Sequence, residues 1–514
     1  MNGAESLVQT LTERGVDVCF ANPGTSEMHF LKALENPMMR SVLCLFEGVC
    51  TGAADGYYRM KGTPASTLLH LGPGLANGLA NIHNAKRASS GMVNIVGEHS
   101  ASHLKYDPPL TSDIEGLARP LSHWVRRVES SRAVAWDVAT AVDKASEHVG
   151  QIATLILPGD ASWQEAGEPV VAPPANTAAK APEAARVEHI AKVLRSGEPT
   201  LIVLAGHSTR GRALELAGKL KAATGCRLAT QFFSARIERG AGRVTLERIP
   251  YAVGQAVEYL KGFKHIITVE TTEPIAFFSY PDKPSLLKSP GTSVHELAEV
   301  GEDGAVALEM LVEAVGANSA SAVIQQRSDA TAPSGALNPA SIAQALAAAL
   351  PEDCILVDES LTTGRETMGL TVGAARHDLI NNMGGSIGYG TPVATGAAIA
   401  CPDRRVFCMV GDGSAMYTIQ SLWTQAREGL NVTTIIFANN SYAILKAEYA
   451  NMGAGAPGER ALAMIDIDRP RIDWLAMAKS MGVPAVAVAS AEAFHKAMAD
   501  SVNETGPCLI EVRL

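Results

Sequence analysis

Short apolar runs rich in β-branched residues recur along this 514-residue chain, each followed by a stretch long enough for a crossover helix, and this alternation restricts the fold more than any other feature. Strands buried on both faces read as continuous apolar runs, and joining them in parallel requires a connection the length of a helix. The first part carries VDVCFAN, VLCLFE, ASTLLHL, MVNIVGEH and IATLILPGD; the middle carries TLIVLAG, CRLATQF and HIITVE; the last carries CILVDES, VFCMVGDG, TTIIFANN and CLIEVRL. Two stretches interrupt the pattern, EPVVAPPANTAAKAPE at 168–183 and NSASAVIQQRSDATAPSG further on, and neither has the period of a helix or a strand. The expectation is an α/β chain of three doubly wound parallel-sheet domains at 1–167, 184–316 and 337–514.

Composition narrows the function classes. The net charge is −10 and no Lys/Arg run is present, so neither nucleic acid nor an anionic membrane surface is an expected partner. No apolar stretch has the length of a membrane span, and the amphipathic, partly acidic start MNGAESLVQTLTERG reads as neither signal nor transit peptide. Eight cysteines are scattered without a CxxC pair, as expected of buried thiols in a reducing cytoplasm.

The densest chemistry lies in VFCMVGDGSAMYTIQSLWTQAREGLNVTTIIFANN, where one strand ends in Gly411-Asp412-Gly413 and the next in Asn439-Asn440. At the carboxyl edge of a parallel sheet these ends are neighbours, so Asp412 and Asn439 can offer hard oxygen ligands to one Mg²⁺ that keeps waters and phosphate oxygens as its other ligands. Gly411 and Gly413 allow close backbone approach to a phosphate, and Ser414 opens a helix. A glycine-rich turn with an Asx cap is the plain alternative.

Five further stretches carry candidate site residues. Glu47 follows VLCLF and precedes a small-residue helix, where a carboxylate is costly unless partnered, its plain alternative being a helix cap. His70 ends ASTLL and is followed by the turn Gly72-Pro73-Gly74; NPGTSEMHFL brings Thr25 and Ser26 to another strand end; both also read as a core histidine and a capped turn. In NNMGGSIGYGTP, Gly384 and Gly385 precede the apolar Ile387, and in VDESLTTG, Glu359, Ser360 and Thr362 are expected at another strand end, where they can line a ligand.

Taken together these motifs resemble the thiamine-diphosphate-dependent family that contains benzoylformate decarboxylase, pyruvate decarboxylase and acetolactate synthase, across all three segments in order. The wording of LHLGPGLANGLANIHNA and DPPLTSDIEGLARP is most similar to proteins described as acetolactate synthase large-subunit-like. The resemblance implies pyrimidine-binding, central and diphosphate-binding domains, with thiamine diphosphate and Mg²⁺ as cofactors. The GDG aspartate followed 27 positions on (412 to 439) by an asparagine is the family's cofactor signature, and it assigns Asp412, Asn439 and the Ser441 carbonyl to the metal. Tyr442 matches the residue that follows the metal carbonyl, which selects Asn439 over Asn440. Glu47 matches the glutamate that hydrogen-bonds the aminopyrimidine and promotes ylide formation. Ile387 matches the wedge that bends the cofactor, His70 a proton-transferring histidine of benzoylformate decarboxylase, and Thr25 a serine that meets the substrate carboxylate.

The resemblance further implies a homodimer or homotetramer in which Glu47 and Asp412 meet only across two chains. The reaction it implies is non-oxidative decarboxylation of a 2-oxo acid, with a hydroxyketone-forming carboligase and a catalytically silent regulatory paralogue as the alternatives. The central segment shows no flavin-binding pattern, so FAD is not expected, and no GxGxxG follows an early strand as a nicotinamide cofactor would require. Two departures fall in the substrate shell. A second histidine of benzoylformate decarboxylase would lie near Phe277–Tyr280, where none occurs, and a tryptophan that selects the acceptor in acetolactate synthases is replaced by Glu448.

Overall fold

A computed structural model describes residues 1–174 and 179–514, so the 175–178 part of the expected 168–183 linker lies outside the described residues. The chain forms three sheets. In the first, β1 (Val18–Ala21), β2 (Arg40–Leu43), β3 (Ala65–Leu69), β4 (Met92–Glu98), β5 (Trp124–Arg127) and β6 (Ile152–Pro158) run parallel in the order β2-β1-β3-β4-β6-β5. In the second, β7 (Thr200–Leu204), β8 (Arg227–Thr230), β10 (Glu247–Arg248), β11 (His265–Val269) and β12 (Ser293–Ala298) run parallel in the order β10-β8-β7-β11-β12, β9 (Ile237–Arg239) lying elsewhere. The third contains β13 (Cys354–Glu359), β14 (His377–Asn381), β15 (Val406–Gly411), β16 (Val432–Ala438), β17 (Ala485–Val488) and β18 (Cys508–Arg513) in the order β17-β18-β16-β15-β13-β14-β9.

The apolar runs named above all become strands, and most of them are buried along their whole length. The third sheet is mixed: β9, from the middle segment, pairs antiparallel with β14. The strands that apolarity does not announce are short or polar. β14 begins His377-Asp378, both buried, and it is stable there because Asp378 pairs with Arg236 and Arg404 at 2.6 and 2.5 Å. β5 is half-exposed and ends in two arginines.

The first and third sheets are joined by the packing of helix Glu47–Lys61 against helix Gly390–Ala400. Their backbones touch at glycines: a Cβ on Gly56 would lie 2.0 Å from the Val393 carbonyl oxygen, and one on Gly396 1.8 Å from that of Ala53. Beside this contact Arg59 forms a buried ion pair with Asp55 at 2.6 Å and donates to the carbonyls of Asn381 at 2.6 Å and Ala235 at 3.3 Å, so a single guanidinium links all three segments. The small-residue crossing and this satisfied charge pair thus tie the segments together, beside the β9–β14 pairing and the Arg236–Asp378 pair.

Gly396→Ala forces backbone against backbone and is expected to destabilise the chain by about 1–3 kcal/mol or more in urea unfolding. Gly254→Ala, in a helix with no atom within 4 Å of the added Cβ, is expected to be neutral or stabilising, and equal losses in the two variants would contradict the packing account.

Candidate active site

In a doubly wound sheet the ligand crevice lies at the carboxyl ends of the two strands where the order reverses. In the third sheet these are β13 and β15, ending in Glu359 and Gly411. Asp412 is buried directly after β15, and the backbone N–H groups of Gly413 and Asn440 donate to its carboxylate at 2.8 and 2.5 Å. Burial pushes its pKa up, partly offset by those amides. Asn440 takes a left-handed φ of 55°, and Ser441 donates its N–H to the Asn439 side-chain oxygen at 3.0 Å. The Tyr442 ring covers Gly413, where a Cβ would meet it at 2.4 Å. The spacing of the motif thus does bring Asp412 and residues 439–442 together.

The helix expected to open at Ser414 differs. It starts at Asp412 and is one turn long, Asp412–Ala415, with buried Ser414 inside it; the chain then turns before helix Ser421–Arg427. The interruption has a cause: Thr418 leaves the helical path to donate its hydroxyl to the Gly388 carbonyl at 2.9 Å, while its own carbonyl takes the Ser421 hydroxyl. A single turn offers its backbone amides but little helix dipole.

The Gly384–Gly388 turn that carries Ile387 is held from several sides. Asn382 accepts from the N–H groups of Gly384 and Gly385 at 3.1 and 2.9 Å, and Asn84 donates to the Ser386 carbonyl at 2.9 Å. Gly385 has a φ of 78°, and Phe277 lies where its Cβ would be. From beneath, the buried Glu359 carboxylate accepts the N–H groups of Gly388, Tyr389 and Gly390 at 2.7, 3.3 and 2.7 Å. Glu359 is thus spent on the turn and does not line a substrate surface. Ile387 is half-buried and stands outside the fully buried core; Thr362 is half-buried on the neighbouring loop.

In the first sheet the order reverses between β1 and β3. β3 delivers His70, and the loop after β1 delivers Thr25, Ser26 and Glu27. His70 Nδ1 lies 2.9 and 3.0 Å from the two carboxylate oxygens of Glu27, which is buried and also accepts from the Gly24 N–H at 2.7 Å and the Ser26 hydroxyl at 2.5 Å. Nδ1–H therefore points at the carboxylate, and Nε2 is the free end of the ring. Gly24 has no Cβ because one would lie 2.0 Å from His70 Nδ1. Thr25 is exposed on this loop.

Glu47 is the first residue of helix Glu47–Lys61, four residues beyond the end of β2, and not the end of a strand. Its buried carboxylate accepts the Asn77 side-chain N–H at 3.0 Å, and Gly74 of the Gly-Pro-Gly turn comes so close that a Cβ would sit 3.0 Å from Glu47 Oε1. Two groupings result: Glu47, His70 and Thr25 at one sheet edge, and Asp412, Asn439, Ser441 and the Gly384–Gly388 turn at another. A cleft of about 1490 Å³ between the three segments includes neither Glu47, His70, Asp412 nor Asn439. Among the described residues no three His, Cys, Asp or Glu side chains form a metal cluster; the Asp412 grouping has one carboxylate, with amide and carbonyl oxygens beside it, a donor set suited to a hard cation that keeps external ligands. Sequence reasoning missed Glu27 and Asn77, whose partners lie 43 and 30 residues away.

Comparison with known proteins matches residues 1–118 to the thiamine pyrophosphate enzyme N-terminal TPP binding domain and residues 364–512 to the corresponding C-terminal TPP binding domain. A Mycobacterium tuberculosis protein that carries a provisional acetolactate synthase large subunit name, IlvX, is 48% identical over 100% of this chain and 99% of its own length. Benzoylformate decarboxylase of Pseudomonas aeruginosa is 27% identical over 98% of this chain and 97% of its own. The crystal structure of benzoylformate decarboxylase from Polynucleobacter necessarius superposes with a TM-score of 0.87 at 20% identity, covering 100% of this chain and 99% of that one, a likeness of fold.

Burial lifts the Glu359 carboxyl to about 7 from 4.5, against the pull of the Gly390, Tyr389 and Gly388 amides. The folded state then binds this proton more tightly than the unfolded one, so the group's contribution to stability falls as pH rises from 4.5 to 7. Glu359→Gln is expected to flatten that decline, measured as urea midpoints between about pH 4.5 and about pH 8; parallel curves for the two proteins would contradict it.

Proposed function

Because the chain belongs to the thiamine pyrophosphate enzyme family, we propose that it decarboxylates a 2-oxo acid without oxidation, using thiamine diphosphate and Mg²⁺, and releases an aldehyde. The observation that carries this reading is His70 held on buried Glu27 at the same sheet edge as Glu47. Release of an aldehyde needs a proton delivered to the former 2-oxo carbon, and His70, fixed through Nδ1, presents Nε2 for that work. Thr25, on the same loop as Glu27, is placed to meet the substrate carboxylate.

The donor set around Asp412 fits the metal, and the residues around it fit the diphosphate. Asp412, Asn439 and the Ser441 carbonyl would hold Mg²⁺, and Gly411, Ser414, Thr362 and the Gly413 backbone under the Tyr442 ring would receive the diphosphate. Gly385 and Ile387 would support the cofactor, and Glu47, steadied by Asn77, would hold its aminopyrimidine ring through the carboxylate. When bound, the cofactor supplies a cationic ring that accepts the electrons released on loss of carbon dioxide. The two groupings belong to different chains in each site, so the working protein is a homodimer or homotetramer.

A second reading is an acetolactate-synthase-like carboligase, favoured by the provisional name of the 48%-identical relative. The distinguishing experiment is an assay of the Mg²⁺- and thiamine-diphosphate-loaded protein with benzoylformate, pyruvate and longer 2-oxo acids, recording carbon dioxide, aldehyde and hydroxyketone together. Aldehyde equal to carbon dioxide is expected. Hydroxyketone in its place supports the carboligase, and absence of carbon dioxide from every substrate contradicts both. His70→Ala is expected to lower aldehyde release by about 10²–10⁴-fold. Glu47→Gln is expected to abolish most turnover, and unchanged turnover in that variant would overturn its role.

A further inference from the structure

Helix Leu71–Arg87 places asparagines at 77, 81 and 84, a spacing that puts all three on one helix face. Asn77 donates to the Glu47 carboxylate at 3.0 Å. Asn81 donates to the carbonyls of Gly48 at 2.8 Å and Gly388 at 3.2 Å. Asn84 donates to the Ser386 carbonyl at 2.9 Å and accepts the Ser386 N–H at 3.2 Å. Asn81 and Asn84 are 3% and 0% exposed, and Asn84 spends its remaining amide hydrogen on Asn81 Oδ1 at 3.0 Å. Every amide hydrogen and both amide oxygens of this buried pair are therefore used, the condition under which a buried polar network becomes rigid.

Asparagine is a poor helix former, and burying its amide costs free energy unless the bonds it makes offset the loss of water. Here those bonds reach residues 307 and 302 positions away, in the Ile387 turn. The path continues beyond that turn. The Gly388 carbonyl also takes the Thr418 hydroxyl at 2.9 Å, and the Thr418 N–H donates to the carbonyl of Ala415, the last residue of the single turn that begins at Asp412, at 3.2 Å. Asn81 thus stands midway on a run of hydrogen bonds that leads from the first turn of helix Glu47–Lys61 to the Asp412 turn of the same chain.

Resting on the reading above, in which Glu47 and Asp412 of one chain serve different sites, we propose that Asn81 is a positioning residue that couples the two cofactor sites of a dimer. A cofactor held by Glu47 fixes the first turn of its helix, and with it the Gly48 carbonyl and Asn81. The Ile387 and Asp412 turns of that chain, which belong to the other site, then have less freedom left to lose when a second cofactor reaches them. The second equivalent meets a smaller ordering cost than the first, and binding is positively cooperative.

The test is calorimetric titration of the cofactor-free dimer with thiamine diphosphate in excess Mg²⁺, a measurement that needs no substrate. The second equivalent is expected to bind about tenfold more tightly than the first once the statistical factor is removed. Asn81→Ala is expected to make the two constants equal. This variant is expected to fold, because the Gly388 carbonyl keeps Thr418, the Gly48 carbonyl keeps its helical N–H, and Asn84 keeps Ser386. Asn81→Ser, which has one donor for two carbonyls, gives the same measurement if the alanine variant unfolds. Asn77→Ala loosens Glu47 without touching the path, so it is expected to weaken both equivalents alike and keep their ratio. Equal constants in the unaltered protein, or a ratio that persists in the Asn81 variants, would overturn the coupling. Equal constants with one cofactor bound per chain would do so while leaving the decarboxylase reading in place, whereas absence of cofactor binding would remove both.

Discussion

Helix Glu47–Lys61 can meet helix Gly390–Ala400 only because glycine occupies the crossing from both sides, and that contact sets the Glu47 edge against the Ile387 turn. The first helix begins with Glu47, and the second begins just after the Ile387 turn. Asn81 fastens the two beginnings by donating to the carbonyls of Gly48 at 2.8 Å and Gly388 at 3.2 Å. With Arg59 paired to Asp55 at the other end of the crossing, the two sheet edges are fixed relative to each other before any ligand is present. Preorganisation of this kind lowers the ordering that binding and catalysis would otherwise require.

The three sheets place a buried carboxylate at each reversal of strand order, and each serves differently. In the first, Glu27 takes a loop amide and orients His70. In the second, Glu270 has a φ of 54° at the end of β11 and accepts the N–H groups of Ser208 at 2.8 Å and Gly304 at 3.3 Å, filling with a side chain the amides that a ligand anion would use. In the third, Glu359 takes three amides and supports the Ile387 turn, while the neighbouring Asp412 keeps its carboxylate on the amides of Gly413 and Asn440. One topology thus puts a buried carboxylate to three different structural uses.

The buried parallel strands were legible because burial on both faces demands apolar runs, and GDG with its distant asparagine was legible because adjacent strands must end side by side. What could not be read is held by polar pairing. β14 is buried by virtue of Arg236 and Arg404, which no local pattern announces. Glu27 looks like an ordinary helix-start residue until β1 and β3 lie next to each other and bring His70 to it. Glu359 stood at an expected strand end, but only the fold reveals that its partners are backbone amides about thirty residues on. The single turn after Gly411 escaped because Thr418 is diverted by a contact across the fold.

The account rests on a site assembled from Glu47 of one chain and Asp412 of another, and subunit complementation tests it most directly. Glu47→Gln and Asp412→Asn chains, each inactive as homodimers, are co-expressed with different tags and the hybrid is isolated. A two-fold dimer with shared sites then contains one intact site of two, so about half of the unaltered protein's turnover per dimer is predicted. A hybrid as inactive as its parents would contradict the account.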